Sequence, residues 1–151
     1  DGTRTLPALS RVLSCRRRRA TPAEAIALAL DKSARVIEIR RVREMDGTPA
    51  IAETVCVEAD RFADLDKRAI EKVPNELYQM YEERYGITVH RAVERLRAIA
   101  AAPDDAEALD IKPGTPLLEI ERIAETLNGR PVERRVSRCL TDGRHYIATI
   151  V

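Results

Sequence analysis

Two pairs of alternating apolar and polar runs, each split by a glycine-bearing turn signal, constrain this chain more than any other feature. Residues 116–127 and 130–141 alternate on either side of Asn128-Gly129, the strongest short-range signal for a tight hairpin. Residues 35–45 and 49–57 do the same around Asp46-Gly47, which reads as a second hairpin. Alternation sends successive side chains to opposite faces of a strand. A two-residue Asn-Gly turn therefore places Leu118, Ile120, Arg122 and Ala124 on the face shared by Glu133, Ser137 and Cys139. In the first hairpin, a three-residue loop of Met45, Asp46 and Gly47 aligns Ile37, Ile39, Arg41 and Arg43 with Ile51, Glu53, Val55 and Val57. A two-residue turn would send Glu53 to the other face, and burial of both apolar stripes in one core favours the three-residue loop.

In each hairpin the apolar face is interrupted by charge. Arg41 and Arg43 continue the stripe of Ile37 and Ile39, Glu53 breaks the returning stripe, and Arg122 and Glu133 repeat the theme. Unpaired charges are costly to bury, so these groups must pair, reach solvent, or line a cavity that a polar guest enters. On the pattern alone two readings stand: internal salt bridges of Arg41 with Glu53 and Arg122 with Glu133, or a ligand site.

The rest of the chain supplies helices. Thr21-Pro22-Ala23-Glu24 has the residues of a capping box with Pro in the first turn, and predicts a short helix through Leu30. A helix over 76–84 ends at Gly86, a strand-like run covers 88–101, a short helix covers 103–109, and 144–151 reads as a last strand. Mostly antiparallel strands with helices between them make an α+β domain. At 151 residues and 44% hydrophobic, one core suffices.

Charge and cysteine content exclude several functions. Twenty-six basic residues against twenty-five acidic ones leave a formal charge of +1, too little to draw a polyanion to the surface. The basic run Arg16 to Arg19 reads as structural or linker-proximal. Three widely spaced cysteines without a Cys-x-x-Cys pair suit a reducing cytoplasm, and no apolar stretch suggests a membrane span or a signal segment. His90 and His145 have no motif linking them to a nucleophile, and no serine sits in a G-x-S-x-G context. No catalytic residues, no metal and no cofactor are therefore expected. The chain begins at Asp1 rather than Met, which suggests a piece of a longer protein.

Taken together, Val36 to Arg43, Asp46-Gly47-Thr48-Pro49, Ala52-Glu53, Leu77-Tyr78, Tyr85-Gly86-Ile87, the turn from Pro113 to Leu118, Glu121-Arg122 and Asn128-Gly129-Arg130-Pro131-Val132-Glu133 resemble the UTRA effector domain of GntR-type bacterial regulators in the HutC branch. The resemblance covers residues 9–151 and leaves 1–8 as residual linker from a missing N-terminal winged helix-turn-helix domain. It implies a chorismate-lyase-like fold, an antiparallel sheet with flanking helices, and a homodimer whose absent heads read operator DNA. It also implies that Arg41 and Arg43 anchor a small-molecule effector, with Glu53, Glu133 and Tyr78 in the pocket. Arg122, Ser137 and Cys139 join that set by sharing its sheet face.

Two positions depart from the family pattern. Glu76 stands where sugar-phosphate-sensing members carry Ser, and a carboxylate there repels phosphate or competes for the arginines. Cys139 replaces a frequent aromatic. Both count against a phosphosugar and put a smaller carboxylate, or a zwitterion whose amine meets Glu76 or Glu53, at least level with it as the small anionic or zwitterionic metabolite. The alternative is a stand-alone lyase-like enzyme on the same fold acting on a small carboxylate.

Overall fold

In the computed structural model, residues 9–68 and 70–151 are described; the expected linker at 1–8 lies outside them. The elements run β1 (Leu9–Arg19), α1 (Pro22–Ala27), β2 (Arg35–Met45), β3 (Thr48–Glu58), three short 3-10 turns between Ala59 and Lys72, α2 (Leu77–Tyr85), β4 (Arg91–Ala100), α3 (Pro103–Leu109), β5 (Pro116–Glu125) and β6 (Pro131–Cys139). The strands form one sheet in the order β1-β2-β3-β6-β5-β4, and every neighbouring pair is antiparallel. This is the α+β architecture that the alternating runs predict.

Both hairpins keep the expected strand register, but by the opposite turns. Asp46 and Gly47 both have positive φ, 54° and 75°, and Met45 pairs with Thr48, so the first loop has two residues rather than three. A one-residue bulge at Ala50 then restores the register, with Arg43 opposite Ile51 and Arg41 opposite Glu53. In the second hairpin the Gly129 amide donates to the Thr126 carbonyl and the Thr126 amide to the Arg130 carbonyl, so the loop is Leu127, Asn128 and Gly129 with only Gly129 left-handed. A bulge at Val132 again compensates, leaving Ala124 opposite Glu133 and Ile120 opposite Ser137. Burying both stripes fixes the pairing, and the bulges absorb the difference in loop length.

Core packing follows from these faces. One face presents Ile37, Ile39, Val55 and Val57, covered by Phe62, Leu65, Leu77, Met80 and Tyr81 from the segment after β3. Burial of such aliphatic side chains is worth about 1.5–3 kcal/mol each. The opposite face holds two smaller clusters, Val36 with Ala25 and Leu28 of the α1 region, and Ala52 and Leu117 with Ala106 and Leu109 of α3.

The predicted capping box forms: Thr21 Oγ1 accepts from the Glu24 amide and the Glu24 carboxylate accepts from the Thr21 amide. The helix is shorter than expected and stops at Ala27. Glu24 also takes two hydrogen bonds from Arg18, at 2.6 and 2.8 Å, and Arg16 and Arg18 both reach Glu38. The basic run therefore lies on β1 and ties that edge strand to α1 and β2. The expected strand at 144–151 is not one; after a turn closed by Arg144 on Thr141, the segment runs without ladder pairing among the described residues. No described helix is long and apolar enough to cross a membrane.

Candidate functional site

The charges that interrupt the apolar stripes converge on the α2-covered face, beyond the end of the main core. Arg41 and Glu53 stand directly opposite on β2 and β3, with Arg41 Nε donating to Glu53 Oε2 at 2.5 Å. Arg41 Nη1 donates to the Asn75 carbonyl at 3.0 Å, which ties the sheet to the approach of α2. Ser137 on β6, opposite Glu53, donates to the other carboxylate oxygen at 2.7 Å. Burial alone would raise the pKa of Glu53, but Arg135 and Arg41, with the Ser137 hydrogen bond, hold it below the ordinary carboxylate value.

Glu133 is held by a different set from the one expected. Arg135, two residues along β6, makes a fork to both its oxygens at 2.8 and 2.9 Å, and Tyr81 of α2 donates at 2.6 Å. Arg122 instead meets Glu94, its direct neighbour across β4–β5, at 2.7 Å. The expected Arg122–Glu133 bridge gives way because β5 has two neighbouring strands, and across β6 Arg122 faces the cation Arg135. Tyr78 lies between these two cations. Its ring receives Arg135 at 5.0 Å from the centroid, and its hydroxyl lies in the field of Arg122 but forms no hydrogen bond of good geometry. Burial, then Glu133, raises the Tyr78 pKa.

Arg43 is the exception among these arginines. Half-buried, it makes no hydrogen bond or ion pair among the described residues, and its Nε is shielded from solvent without a partner. Its pKa falls below the ordinary guanidinium value because of burial, with Arg41 and Arg135 adding to the effect and Glu53 opposing it. Cys139 lies opposite Ile51 and Leu118, and burial, reinforced by Glu53, pushes its thiol up to about 11.

The structure thus brings Arg41, Arg43, Glu53, Tyr78, Arg122, Glu133, Ser137 and Cys139 to one face. Glu76 stands apart: it is exposed at the N-cap of α2, caps no amide with its side chain, and is felt by Arg43 only through its field. It lines a neighbouring cavity of about 680 Å³ with Asn75, Gln79 and Met80. Sequence reasoning missed Arg135, Tyr81 and Glu94, which hold these charged groups, and Ser10, which stands opposite Arg43 across β1–β2 with its hydroxyl buried and without a hydrogen bond among the described residues. Arg135 shares the odd-numbered face of Glu133 and Ser137, so alternation marks it. Tyr81 follows Tyr78 by three positions on one helix, which puts both on neighbouring stations. Ser10 and Glu94 had no sequence signal, because their roles depend on which strands become edges.

The UTRA domain family model matches residues 4–143. The crystal structure of the ligand-binding domain of a GntR-family transcriptional regulator from Bordetella bronchiseptica superposes with a TM-score of 0.93 at 36% identity, covering 100% of this chain and 93% of that one. The effector domain of PhnF from Mycobacterium smegmatis shares the fold, with a TM-score of 0.85 at 23% identity over 95% of this chain and 87% of that one. Among curated proteins, an HTH-type transcriptional regulator of Mycobacterium tuberculosis is 38% identical over 56 residues, which are 37% of this chain and 21% of that protein. An Escherichia coli protein named as a probable fructoselysine utilization operon transcriptional repressor is 27% identical over 105 residues, 70% of this chain and 42% of that protein. The chain spans less than half the length of these two regulators.

Proposed function

Since the chain belongs to the UTRA domain family, we propose that it is the effector-sensing domain of a one-component transcription repressor. The observation that carries this reading is the unpaired Arg43 beside a network of otherwise satisfied buried charges. Charged groups without a protein partner mark where a polar ligand completes the set. Arg43, Tyr78, Ser137 and Cys139 contact the effector in this reading, and Arg122 flanks it. Arg41, Glu53 and Glu133 hold the contacting groups in place, and Glu76 stands at the rim. The guest is a small anionic or zwitterionic metabolite.

Binding shifts a homodimer between two arrangements. Only the arrangement that holds the effector more tightly gains population. An N-terminal winged helix-turn-helix, supplied by the longer protein in the cytoplasm, reads the operator, and the effector-favoured arrangement misplaces the two heads relative to the half-sites. The domain itself performs no chemistry. This part of the reading rests on the proteins that the chain resembles, which are named as regulators.

A thermal-shift screen of small carboxylates, amino acids and sugar phosphates tests this reading. A true effector at a hundred times its dissociation constant adds about 2.7 kcal/mol of stability. Turnover of any screened compound would instead favour the lyase alternative.

A further inference from the structure

Three of the four site arginines are already committed to a carboxylate: Arg41 to Glu53, Arg122 to Glu94 and Arg135 to Glu133. Arg43 alone is uncommitted. The residue directly opposite it across the β1–β2 pair is Ser10, whose hydroxyl oxygen is also shielded from solvent and without a partner. A guanidinium nitrogen and a hydroxyl oxygen, neither of them hydrogen-bonded, thus face each other from adjacent strands, while nearly all other buried side-chain polar groups among the described residues are satisfied. The guanidinium can only donate and the hydroxyl can donate as well as accept, so one acceptor seated between them satisfies both.

The same pairing limits how much negative charge the acceptor can carry. One anionic charge neutralises Arg43. A second would need another guanidinium, and withdrawing Arg41 would strip Glu53 of its hydrogen-bonded counter-charge, leaving it the field of Arg135 and the Ser137 hydroxyl. Drawing Arg122 inward would do the same to Glu94. The outer side of the site is no more accommodating, because Glu76 projects its field onto Arg43 and makes no ion pair of its own among the described residues. A dianion would meet that carboxylate across the same guanidinium, whereas an ammonium group on the guest would be drawn to it.

We infer that the effector presents a single carboxylate to Arg43 and Ser10, and that the arrangement of paired arginines selects against phosphate dianions. The inference rests on the reading of this sheet face as the effector site and adds the charge and chemical class of the group that binds there. Ser10 acts as a specificity residue, donating to one carboxylate oxygen while Arg43 holds the other. Charge-assisted pairing of this sort is shorter and stronger than neutral hydrogen bonding.

Side-chain Nε–H resonances of arginine, followed by NMR during titration with acetate or methyl phosphate at pH 8 and constant ionic strength, test the inference without knowledge of the natural effector. The Arg43 resonance, assigned with Arg43→Lys, is expected to shift saturably with acetate. The dissociation constant for acetate should be lower than that for methyl phosphate by about tenfold, and Ser10→Ala should weaken acetate by about tenfold while the Arg135 resonance stays in place. Equal or tighter binding of methyl phosphate overturns the single-carboxylate assignment and leaves Arg43 standing as an anion site. An unchanged acetate affinity in Ser10→Ala removes Ser10 from the seat. Silence of Arg43 toward both anions overturns the seat, whereas the effector reading falls only if the thermal-shift screen also finds no compound that stabilises the domain.

Discussion

Arg41 and Glu53 face each other from the middle of β2 and β3, with side chains only 1% and 2% exposed. Such a pair is held in a medium where neither ion can be left alone. It follows that Arg41→Met should destabilise the domain by about 3–5 kcal/mol, because Glu53 keeps its charge and loses its partner. Replacing both, with Arg41→Met and Glu53→Leu, should recover most of that loss. Urea denaturation of the two variants checks this; a single variant as stable as wild type would mean that the pair is open to water.

Acid should weaken the fold through the same kind of group. Glu53 and Glu24 both titrate below the ordinary carboxylate value of 4.5 in the folded chain: burial opposes this in each, and Arg135 and Arg41 for Glu53, or Arg18 with the Thr21 amide for Glu24, outweigh it. A depressed folded pKa contributes stability that is complete above the unfolded value and lost as pH falls through the folded one. Urea midpoints should therefore hold steady from neutral pH to about 5 and drop below it. Glu24→Gln should flatten that drop as well as lower the plateau.

The three thiols should be inert in the native state. Burial pushes Cys15 and Cys139 up to about 11 and Cys56 up to about 12, with Asp66 acting further on Cys15, Glu53 on Cys139 and Glu24 on Cys56. The thiolate is the reactive form. Iodoacetamide at pH 8 should leave all three unlabelled until denaturant is added, as read by intact mass.

The capping box gives an independent local check. Thr21→Ala removes the acceptor for the Glu24 amide and should cost about 1 kcal/mol. Thr21→Ser should cost little, since its hydroxyl can take the same bond.

The sheet was legible where alternation and burial agreed. Arg41 opposite Glu53, and Ala124 opposite Glu133, follow from the need to bury both stripes. The turns were not, because Asp46-Gly47 and Asn128-Gly129 each suit more than one loop and the bulges at Ala50 and Val132 carry no sequence mark. The segment 144–151 misled for a related reason: β-branched residues favour a strand wherever a partner exists, and the chain offers it none among the described residues. The site was half legible. Its inward charges broke an apolar pattern, but which carboxylate each arginine takes depends on strand order, so Glu94 could not be assigned to Arg122 before β4 was placed beside β5.

Calorimetric titration of the compound with the largest thermal shift, into wild type and Arg43→Met, isolates what this one guanidinium contributes to effector binding. Arg43 is unpaired and partly buried, so its removal should leave the unliganded thermal midpoint unchanged or higher. The heat of binding is expected to disappear in Arg43→Met, and an affinity equal to that of wild type would mean that Arg43 does not hold the effector.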